Sequence, residues 1–416
     1  MATNLRIDEA RLWSTLTDTA EFGKTAKGGV RRLALSDEDR KVRDWLKAAC
    51  AELGLALTVD RMGNMFAVRP GRDNSRPPIA FGSHLDTQPA GGKFDGILGV
   101  LAGLEVMRTL NDAGYETEAP FCLVNWTNEE GARFAPAMMS SGVWSGELDA
   151  EPALAAVDQD GRVFGDELAR IGYAGDAPIG SFRLGAFLEL HIEQGPILDV
   201  EGITIGVVTG GQGLLWWDGT ITGKDNHAGT TPMPMRHDAM NALAEIALLA
   251  ERIALDNGPA GVATIGEVKV VPGSRNTIPG FALFRGEFRH PDGPTLLSME
   301  QRLFEEAAAI AARRKVELEL RRIWLKPPVT FDPALVDAVE ASAAAAGFSL
   351  KRMISGAGHD AFYAASHAPT AMIFVPSKGG VSHNELEETA REDCAAGAQV
   401  LLGALLAADR KLAGGT

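Results

Sequence analysis

Apolar residues along the chain recur at two spacings, and their alternation predicts the order of helices and strands. Residues 5–20 and 36–53 carry apolar side chains at helical intervals, the second stretch directly after Ser36, a candidate N-cap. Short apolar runs predict strands at 55–59, 65–68, 78–82 and 121–126, with a helix beginning near Gly96. Strands that alternate with helices indicate an α/β layer with a largely parallel sheet.

A different pattern begins after GGQG at 210–213. The segment FLELHIE at 186–192 still reads as a strand of the first layer. Beyond 213 the apolar spacing predicts the order β, α, β, β, α, β, with helices at 238–256 and 294–314. That order is typical of a split βαβ sandwich.

The chain then returns to the first pattern, with a helix at 333–346, the strand AMIFVP and a final helix. The predicted fold class is therefore α/β with two domains. A mixed, mostly parallel sheet flanked by helices is expected from residues 1–213 and 330–416. An α+β sandwich is expected to be inserted at 214–329.

Length and charge bear on the number of domains and on the classes of binding partner. At 416 residues the chain exceeds the size at which one core usually stops growing, which agrees with two domains. Its 40 basic and 55 acidic residues give a net charge of −15, which argues against nucleic acid or an anionic membrane surface as partner. No apolar run approaches the roughly 20 residues of a membrane span. A small-molecule substrate fits these properties better.

The amino terminus and the cysteines bear on the compartment. MATNLRIDEARLWSTL mixes charged and apolar residues and lacks the apolar stretch followed by small residues of a secretory signal. Cys50, Cys122 and Cys394 are isolated and show no metal-binding spacing. We therefore expect a cytoplasmic protein with reduced thiols.

The stretch GSHLDTQPAGGKFDG, 82–96, carries the first candidate chemistry. It follows a predicted strand, so His84 and Asp86 fall where α/β proteins place their sites. Residues two apart on an extended chain share a face, so the Asp86 carboxylate is expected to hydrogen-bond the far nitrogen of a metal-bound His84. Asp95 follows in the glycine-rich segment AGGKFDG, 90–96. Taken alone, a His-x-Asp pattern in a loop is more often incidental.

Four further residues extend this set. Glu129 and Glu130 end a predicted strand, His191 lies within another, and His383 follows a third in the loop SKGGVSHNE. Each has an ordinary alternative, since the glutamates can be a solvated pair and His191 a core residue. All four nevertheless lie at or near strand ends of one predicted domain. Imidazole and carboxylate ligands without cysteine suit zinc, with Mn, Co or Ni compatible.

Together these motifs resemble the di-zinc aminoacylase and carboxypeptidase G clan, and within it the amidase/hydantoinase/carbamoylase branch. The resemblance rests on motifs in family order across about residues 80–390, namely GSHLDTQPAGGKFDG, TNEEGARF, LELHIEQGP, NHAGTTPM, RNTIPG, FRHP, GAGHDA and SHNELE. The branch includes N-carbamoyl-L-amino-acid hydrolases, β-ureidopropionase and allantoate amidohydrolase.

The resemblance implies two divalent metal ions per subunit. His84, Asp95 and His191 would hold one ion, and Asp95 would bridge to a second ion held by Glu130 and His383. Glu129 would act as general base and Asp86 would orient His84.

The resemblance also implies substrate-binding roles for Gln194, His227, Asn276, Arg289 and Gly358. His227 is expected to reach the active site of a partner subunit, because the inserted domain serves this family as lid and homodimer interface. Arg289 offers a fork of donors matched to a carboxylate, and His227 would stabilise an oxyanion. Without the resemblance, a solvated strand arginine and a loop-capping histidine are equally good interpretations.

The implied activity is a metal-dependent amidohydrolase that cleaves the ureido carbon–nitrogen bond of an N-carbamoyl-L-amino acid, giving the amino acid, carbon dioxide and ammonia. Glu129 would deprotonate a water shared by the metals. Allantoate amidohydrolase or β-ureidopropionase activity is the first alternative, an aminoacylase or dipeptidase the second, and a non-catalytic binding protein the third. Two segments, GGQGLLWWDG and PMPMRHDA, depart from the expected pattern and leave the substrate open.

Overall fold

The computed structural model describes residues 5–414, with side chains to 411. The chain divides into two compact units. The first combines the chain up to Gly210 with the chain from Thr330 onward, and the second is Gly211–Val329.

The strands, in chain order, are β1 Ala56–Val59, β2 Met65–Arg69, β3 Ile79–His84, β4 Phe121–Trp126, β5 Ala186–Ile192, β6 Ile205–Gly211, β7 Gly213–Thr222, β8 Asn226–His227, β9 Val262–Val271, β10 Thr277–Ile278, β11 Phe281–His290, β12 Glu317–Lys326, β13 Val329–Thr330, β14 Leu350–Ser355 and β15 Thr370–Val375.

The α-helices are α1 Glu9–Thr19, α2 Asp37–Glu52, α3 Ile97–Asp112, α4 Met139–Trp144, α5 Ala150–Leu154, α6 Phe164–Arg170, α7 Ile197–Glu201, α8 Ala239–Asp256, α9 Gly293–Arg314, α10 Pro333–Ala346, α11 Ala361–Ala364 and α12 Arg391–Gly414. Short 3-10 helices lie at Met233–Met235 and Lys378–Gly380.

Capping explains where the first helices begin. The Ser36 side chain accepts the Asp39 N–H, so α2 begins as its N-cap predicts. The first helix is shorter than the predicted 5–20, because the Asp8 side chain accepts the Arg11 N–H and helix geometry begins only at Glu9.

The first unit is built on a mixed sheet in the order β1-β2-β4-β3-β5-β15-β6-β13, with β14 also paired to β6. The four central strands β4, β3, β5 and β15 are parallel, whereas β2 and β6 join them antiparallel. Helix α3 packs on β3 and β5, and α12 packs on β15 and α3. The predicted mostly parallel sheet flanked by helices is confirmed.

Parallel pairing brings the candidate residues to one edge of this sheet. His84 is paired with Trp126 and Ile192 with Val375, so β3, β4, β5 and β15 end side by side. The segments that follow these ends carry the other candidates of the first unit, except that His191 lies on β5 itself and Gly358 follows β14. This edge is where open α/β sheets bind ligands.

The second unit is a four-stranded antiparallel sheet in the order β12-β7-β11-β9. Helices α8 and α9 pack on one face, around a core that includes Trp217, Phe284 and Phe288. The order of its main elements is the β, α, β, β, α, β that the apolar spacing predicts. The opposite face carries the more polar residues of the same strands. Within the described residues, no helix combines the length and apolarity needed to cross a membrane.

Candidate metal centre

Asp95 lies at the centre of the candidate site. Its Oδ1 is 3.7 Å from His84 Nε2 and 3.2 Å from His191 Nε2. Its Oδ2 is 3.6 Å from His383 Nε2, which in turn lies 3.5 Å from Glu130 Oε2. Among the described residues there are three groups of possible metal-ligand atoms, and Asp95 belongs to two of them, one on each oxygen. The third group is Glu189, His191 and His359.

The two histidines of the first group present the same nitrogen. His84 Nδ1 lies 2.9 Å from the Asp86 carbonyl, and His191 Nδ1 lies 2.9 Å from the Ile192 carbonyl. Each Nδ1–H donates to a carbonyl, which leaves the Nε2 lone pairs facing Asp95. This is the arrangement that orients metal-binding histidines. Gly96 allows the close approach, because a Cβ there would lie 2.3 Å from the His84 ring.

Asp86 does not make the expected contact through its carboxylate, whose Oδ1 is 3.9 Å from His84 Nδ1. Its main-chain carbonyl takes that place. The carboxylate turns instead toward the next strand end and accepts the N–H groups of Glu129 and Glu130, each at 3.3 Å. The expected hydrogen bond is therefore corrected: Asp86 orients His84 through its backbone and the glutamate pair through its side chain.

A backbone turn brings the adjacent glutamates to the same cluster. Asn128 has a φ of 59° and Gly131 a φ of 62°, so the chain reverses on both sides of the pair. Glu129 Oε2 then lies 3.5 Å from His84 Nε2, while Glu130 joins His383. The two carboxylates thus face different groups of metal-ligand atoms, Glu129 the group with His84 and Glu130 the group with His383. Separate roles for the two glutamates require this.

Gln194 closes the outer side of the cluster. Its Nε2 lies 3.0 Å from Asp95 Oδ2 and 3.3 Å from His383 Nε2. His383 is the most accessible member, with a side chain 51% exposed, whereas the carboxylates of Asp95 and Glu130 are each only 4% exposed. The group on Oδ2 is therefore the side that a small molecule reaches from solvent.

The electrostatics of the cluster favour a cation. Burial, followed by the charges of Asp360 and Glu130, raises the pKa of Glu129 well above its usual value. Burial and then the charge of Asp95 do the same for the pKa of Glu130. Divalent ions would relieve this crowding of carboxylates. The donor set of imidazole and carboxylate groups fits zinc and similar metals.

His191 shows what such an ion would replace. Its Nε2 lies 3.1 Å from the Gly96 nitrogen and 3.2 Å from Asp95 Oδ1, so without a proton its lone pair would face a carboxylate oxygen. A proton between them is favoured in the absence of a metal. Burial lowers the pKa of His191, but the hydrogen bond with Asp95 and the charge of Asp95 outweigh it and raise this pKa to about 9.

Metal binding is therefore expected to release protons. The raised pKa keeps His191 protonated at neutral pH in the metal-free protein, and a bound ion must displace that proton. Affinity should rise about tenfold per pH unit for one displaced proton and level off above the His191 pKa. Calorimetry in buffers of different ionisation enthalpy should detect at least one proton released per first ion at pH 7. A metal affinity unchanged between pH 6 and 9 would contradict this account.

Three supporting residues were not singled out by the sequence. Gln88 donates its N–H and its Nε2 to Glu130, at 3.1 and 2.6 Å. Glu387 accepts the N–H of Asp95 at 3.1 Å, and Ser382 Oγ lies 3.1 Å from Asp95 Oδ2. All three lie inside motifs quoted above, but their polar side chains carry no signal that separates them from loop residues.

Gly358 lies beside the same cluster. A Cβ at this position would lie 2.8 Å from Met138 Cε, and the Met138 N–H donates to the Glu129 carbonyl. The next residue, His359, is buried with its ring centroid 4.5 Å from that of His191. Glycine is thus suited to this crowded position.

The other candidates lie in the second unit. His227 pairs with Thr277, and the Ala228 N–H donates to the Asn276 carbonyl at 3.0 Å, so His227 and Asn276 are neighbours. His227 Nδ1 accepts the Gly229 and Thr230 N–H groups at 3.0 and 3.2 Å. The neutral ring then carries its proton on Nε2, as a donor.

Arg289, on β11, lies against Glu287. Its Nε and Nη2 donate to the two Glu287 oxygens at 2.9 and 3.0 Å, and the Trp216 indole N–H also reaches Glu287, at 3.1 Å. One edge of the guanidinium is therefore held in a fixed orientation by a carboxylate.

Comparison with known proteins places this geometry in a family. Residues 80–407 match the model of peptidase family M20/M25/M40. An N-carbamoyl-L-amino-acid amidohydrolase from Rhizobium meliloti is 48% identical over 97% of both chains. A ureidoglycolate hydrolase from Arabidopsis thaliana is 34% identical over 96% of this chain and 87% of its own.

The fold comparison agrees. The crystal structure of an amidase of the hydantoinase/carbamoylase family from Burkholderia multivorans superimposes with a TM-score of 0.92 at 51% identity, covering 97% of this chain and 98% of its own. The chain belongs to peptidase family M20/M25/M40 and, within it, to the hydantoinase/carbamoylase amidases, which hydrolyse carbon–nitrogen bonds of linear amides.

Proposed function

We propose that the protein hydrolyses the ureido carbon–nitrogen bond of N-carbamoyl-L-amino acids, using two divalent metal ions per subunit. One observation carries the proposal: Asp95 shares its two oxygens between two groups of metal-ligand atoms, with the Glu129 carboxylate beside the first. The substrate class is supported by the Rhizobium meliloti relative, an N-carbamoyl-L-amino-acid amidohydrolase. Zinc is the metal proposed, with Mn, Co or Ni as substitutes.

In this proposal, His84, Asp95 and His191 would hold one ion, and Asp95, Glu130 and His383 would hold the other. Bound ions would supply a water of lowered pKa and polarise the ureido carbonyl. Glu129 takes the proton of the attacking water and then gives it to the leaving nitrogen.

Asp86 and Gln194 assist without exchanging protons. Asp86 fixes the main-chain N–H groups of both glutamates, so the base and the neighbouring ligand keep their relative positions. The Gln194 amide lies against Asp95 and His383, at the accessible side of the cluster, where it is placed to contact a substrate.

We further propose that the second unit provides the substrate's acid-binding groups, acts as a lid and forms a homodimer interface. Arg289 would bind the carboxylate with a hydrogen bond from Asn276, and Gly358 would leave room beside the reacting group. His227 would donate its Nε2 proton to the developing oxyanion of a partner subunit. The tautomer imposed by Gly229 and Thr230 supports that role, since it presents a donor.

Substituting Arg289 by lysine is expected to raise KM for N-carbamoyl amino acids by about 10–100-fold with kcat less affected, because a point charge replaces a fork of donors. Arg285→Lys is the matched control. It lies on the same strand, is half exposed and pairs with Glu267. Steady-state kinetics of both variants should separate them, and equal KM values for Arg289→Lys and wild type would remove Arg289 from the substrate site.

A panel of substrates tests the proposed function. Metal-free protein reloaded with Zn, Mn, Co or Ni should release ammonia from N-carbamoyl-L-amino acids faster than from their D-enantiomers, N-carbamoyl-β-alanine, allantoate or ureidoglycolate. Faster turnover of ureidoglycolate or allantoate would instead favour a hydrolase of these ureides. The Arabidopsis relative, a ureidoglycolate hydrolase, supports that alternative. Preference for N-acetyl amino acids or dipeptides would indicate an aminoacylase or dipeptidase. Tight metal binding without any hydrolysis would indicate a non-catalytic protein.

A further inference from the structure

Glu387 lies next to the metal cluster but belongs to none of the three groups of metal-ligand atoms found among the described residues. It follows His383 by four residues, and its carboxyl group is buried, with the residue 4% exposed. A buried carboxylate needs partners, because burial of an unpaired charge is costly. Its neighbour Glu388, by contrast, points to solvent and pairs with Lys378.

The partners of Glu387 all lead to Asp95. Oε1 accepts two main-chain N–H groups, those of Phe94 and Asp95, both at 3.1 Å. Oε2 lies 3.2 Å from Ser382 Oγ, and that hydroxyl also lies 3.1 Å from Asp95 Oδ2. Glu387 therefore holds the backbone of the shared aspartate through Oε1, and its Oε2 lies beside the Ser382 hydroxyl that also neighbours Asp95 Oδ2.

These contacts join two segments that are distant in sequence. The Asp95 segment follows β3, whereas Ser382, His383 and Glu387 follow β15. Gly92 makes the approach possible, because a Cβ there would lie 2.1 Å from Glu387 Oε1. Glu387 thus fixes Asp95 relative to His383, two ligands of the group on Oδ2.

We propose that Glu387 is the positioning residue of the shared aspartate and sets the affinity for the second metal ion without touching it. This inference rests on the two-metal assignment of the proposed function, though not on the substrate. What matters is acceptor geometry: one oxygen must receive both N–H groups at this depth. A glutamine oxygen meets that requirement, and its amide nitrogen can donate to Ser382 Oγ. The alanine side chain has no hydrogen-bond acceptor. The aspartate side chain is shorter, so its oxygens would lie farther from the N–H groups of Phe94 and Asp95.

The test is a metal titration of four variants: Glu387→Gln, Glu387→Ala, Glu387→Asp and the matched surface control Glu388→Gln. Zn²⁺ or Co²⁺ is titrated into metal-free full-length protein against a competing chelator dye, and thermal unfolding of the metal-free form is recorded in parallel. Glu387→Ala and Glu387→Asp are expected to bind the second ion about 10–100-fold more weakly than wild type. Glu387→Gln should stay within about tenfold, and Glu388→Gln should match wild type.

These outcomes separate positioning from simple stabilisation. A residue that only stabilises the fold would lower the unfolding temperature of the metal-free protein and leave metal affinity unchanged in the folded variants. Glu387→Asp covers the case in which the alanine variant does not fold. Wild-type affinity for the second ion in folded Glu387→Ala or Glu387→Asp would overturn the proposal, as would a glutamine variant as weak as alanine. Because no substrate is used, failure of the proposed activity would leave this result interpretable.

Discussion

Replacing Glu129 by glutamine is expected to lower kcat by about 10²–10⁴-fold, the range that a positioned general base contributes. Glutamine keeps the volume of the side chain and cannot take a proton from water. Glu129 lies 3.5 Å from His84 Nε2 but belongs to none of the three groups of metal-ligand atoms among the described residues, so the metal content of the variant should equal that of wild type. Stopped assays of ammonia release, together with elemental analysis of the purified variant, measure both quantities.

Glu116→Gln is the matched control for this experiment, since Glu116 is an exposed glutamate of the same unit that pairs with Arg72. It should leave kcat unchanged. Near wild-type turnover in Glu129→Gln with normal metal content would remove the general-base role and direct attention to another carboxylate of the cluster. Loss of metal from this variant would instead make Glu129 a ligand.

Replacing Asp95 by asparagine is expected to abolish the binding of both ions and to lower activity by at least about 10³-fold, because each ion loses the carboxylate it shares. His383→Ala removes a ligand from only one group and is expected to retain the ion on Asp95 Oδ1. Metal analysis after dialysis should therefore give no ion for Asp95→Asn, one for His383→Ala and two for wild type.

Asp73→Asn, at a half-exposed aspartate that pairs with Arg76, controls for the loss of a carboxylate elsewhere in the unit. If Asp95→Asn and His383→Ala lost the same number of ions, the shared role of Asp95 would be wrong. Two ions retained in Asp95→Asn would contradict the whole arrangement of the cluster.

Apolar spacing predicted the central parallel strands and the order of elements in the second unit, but not β6, β14 or the short helices α4–α7. The buried runs that became β3, β4, β5 and β15 are fixed by local sequence, and their parallel pairing follows from the helices between them. The order of elements in the second unit follows from the change between strand and helix periods in the same way. The start of α1 was missed because Asp8 caps the helix, an effect that depends on one side chain.

Residue spacing alone does not predict the geometry of the candidate site. Local pattern placed His84 and Asp86 at a strand end, but the hydrogen bond between them forms through the Asp86 carbonyl, which no residue identity reveals. The positive φ of Asn128 was likewise not foreseen, although it lets adjacent glutamates serve different groups. The resemblance of the motifs supplied the expected roles.

Glu387 shows the limit of sequence reasoning most clearly. Its partner Asp95 lies 292 positions away in the chain. A glutamate before a final helix reads as a solvated residue, and only the close approach over Gly92 gives it buried partners.

A metal titration of activity tests whether the protein is a two-metal amidohydrolase of N-carbamoyl-L-amino acids. Metal-free protein receives increasing equivalents of Zn²⁺ or Mn²⁺ with one N-carbamoyl-L-amino acid, and the release of amino acid and ammonia is followed together. We expect no turnover without metal, equimolar products, and activity that reaches its plateau at two equivalents per subunit. Undiminished turnover by the metal-free protein, or no turnover at any metal loading, would contradict the account.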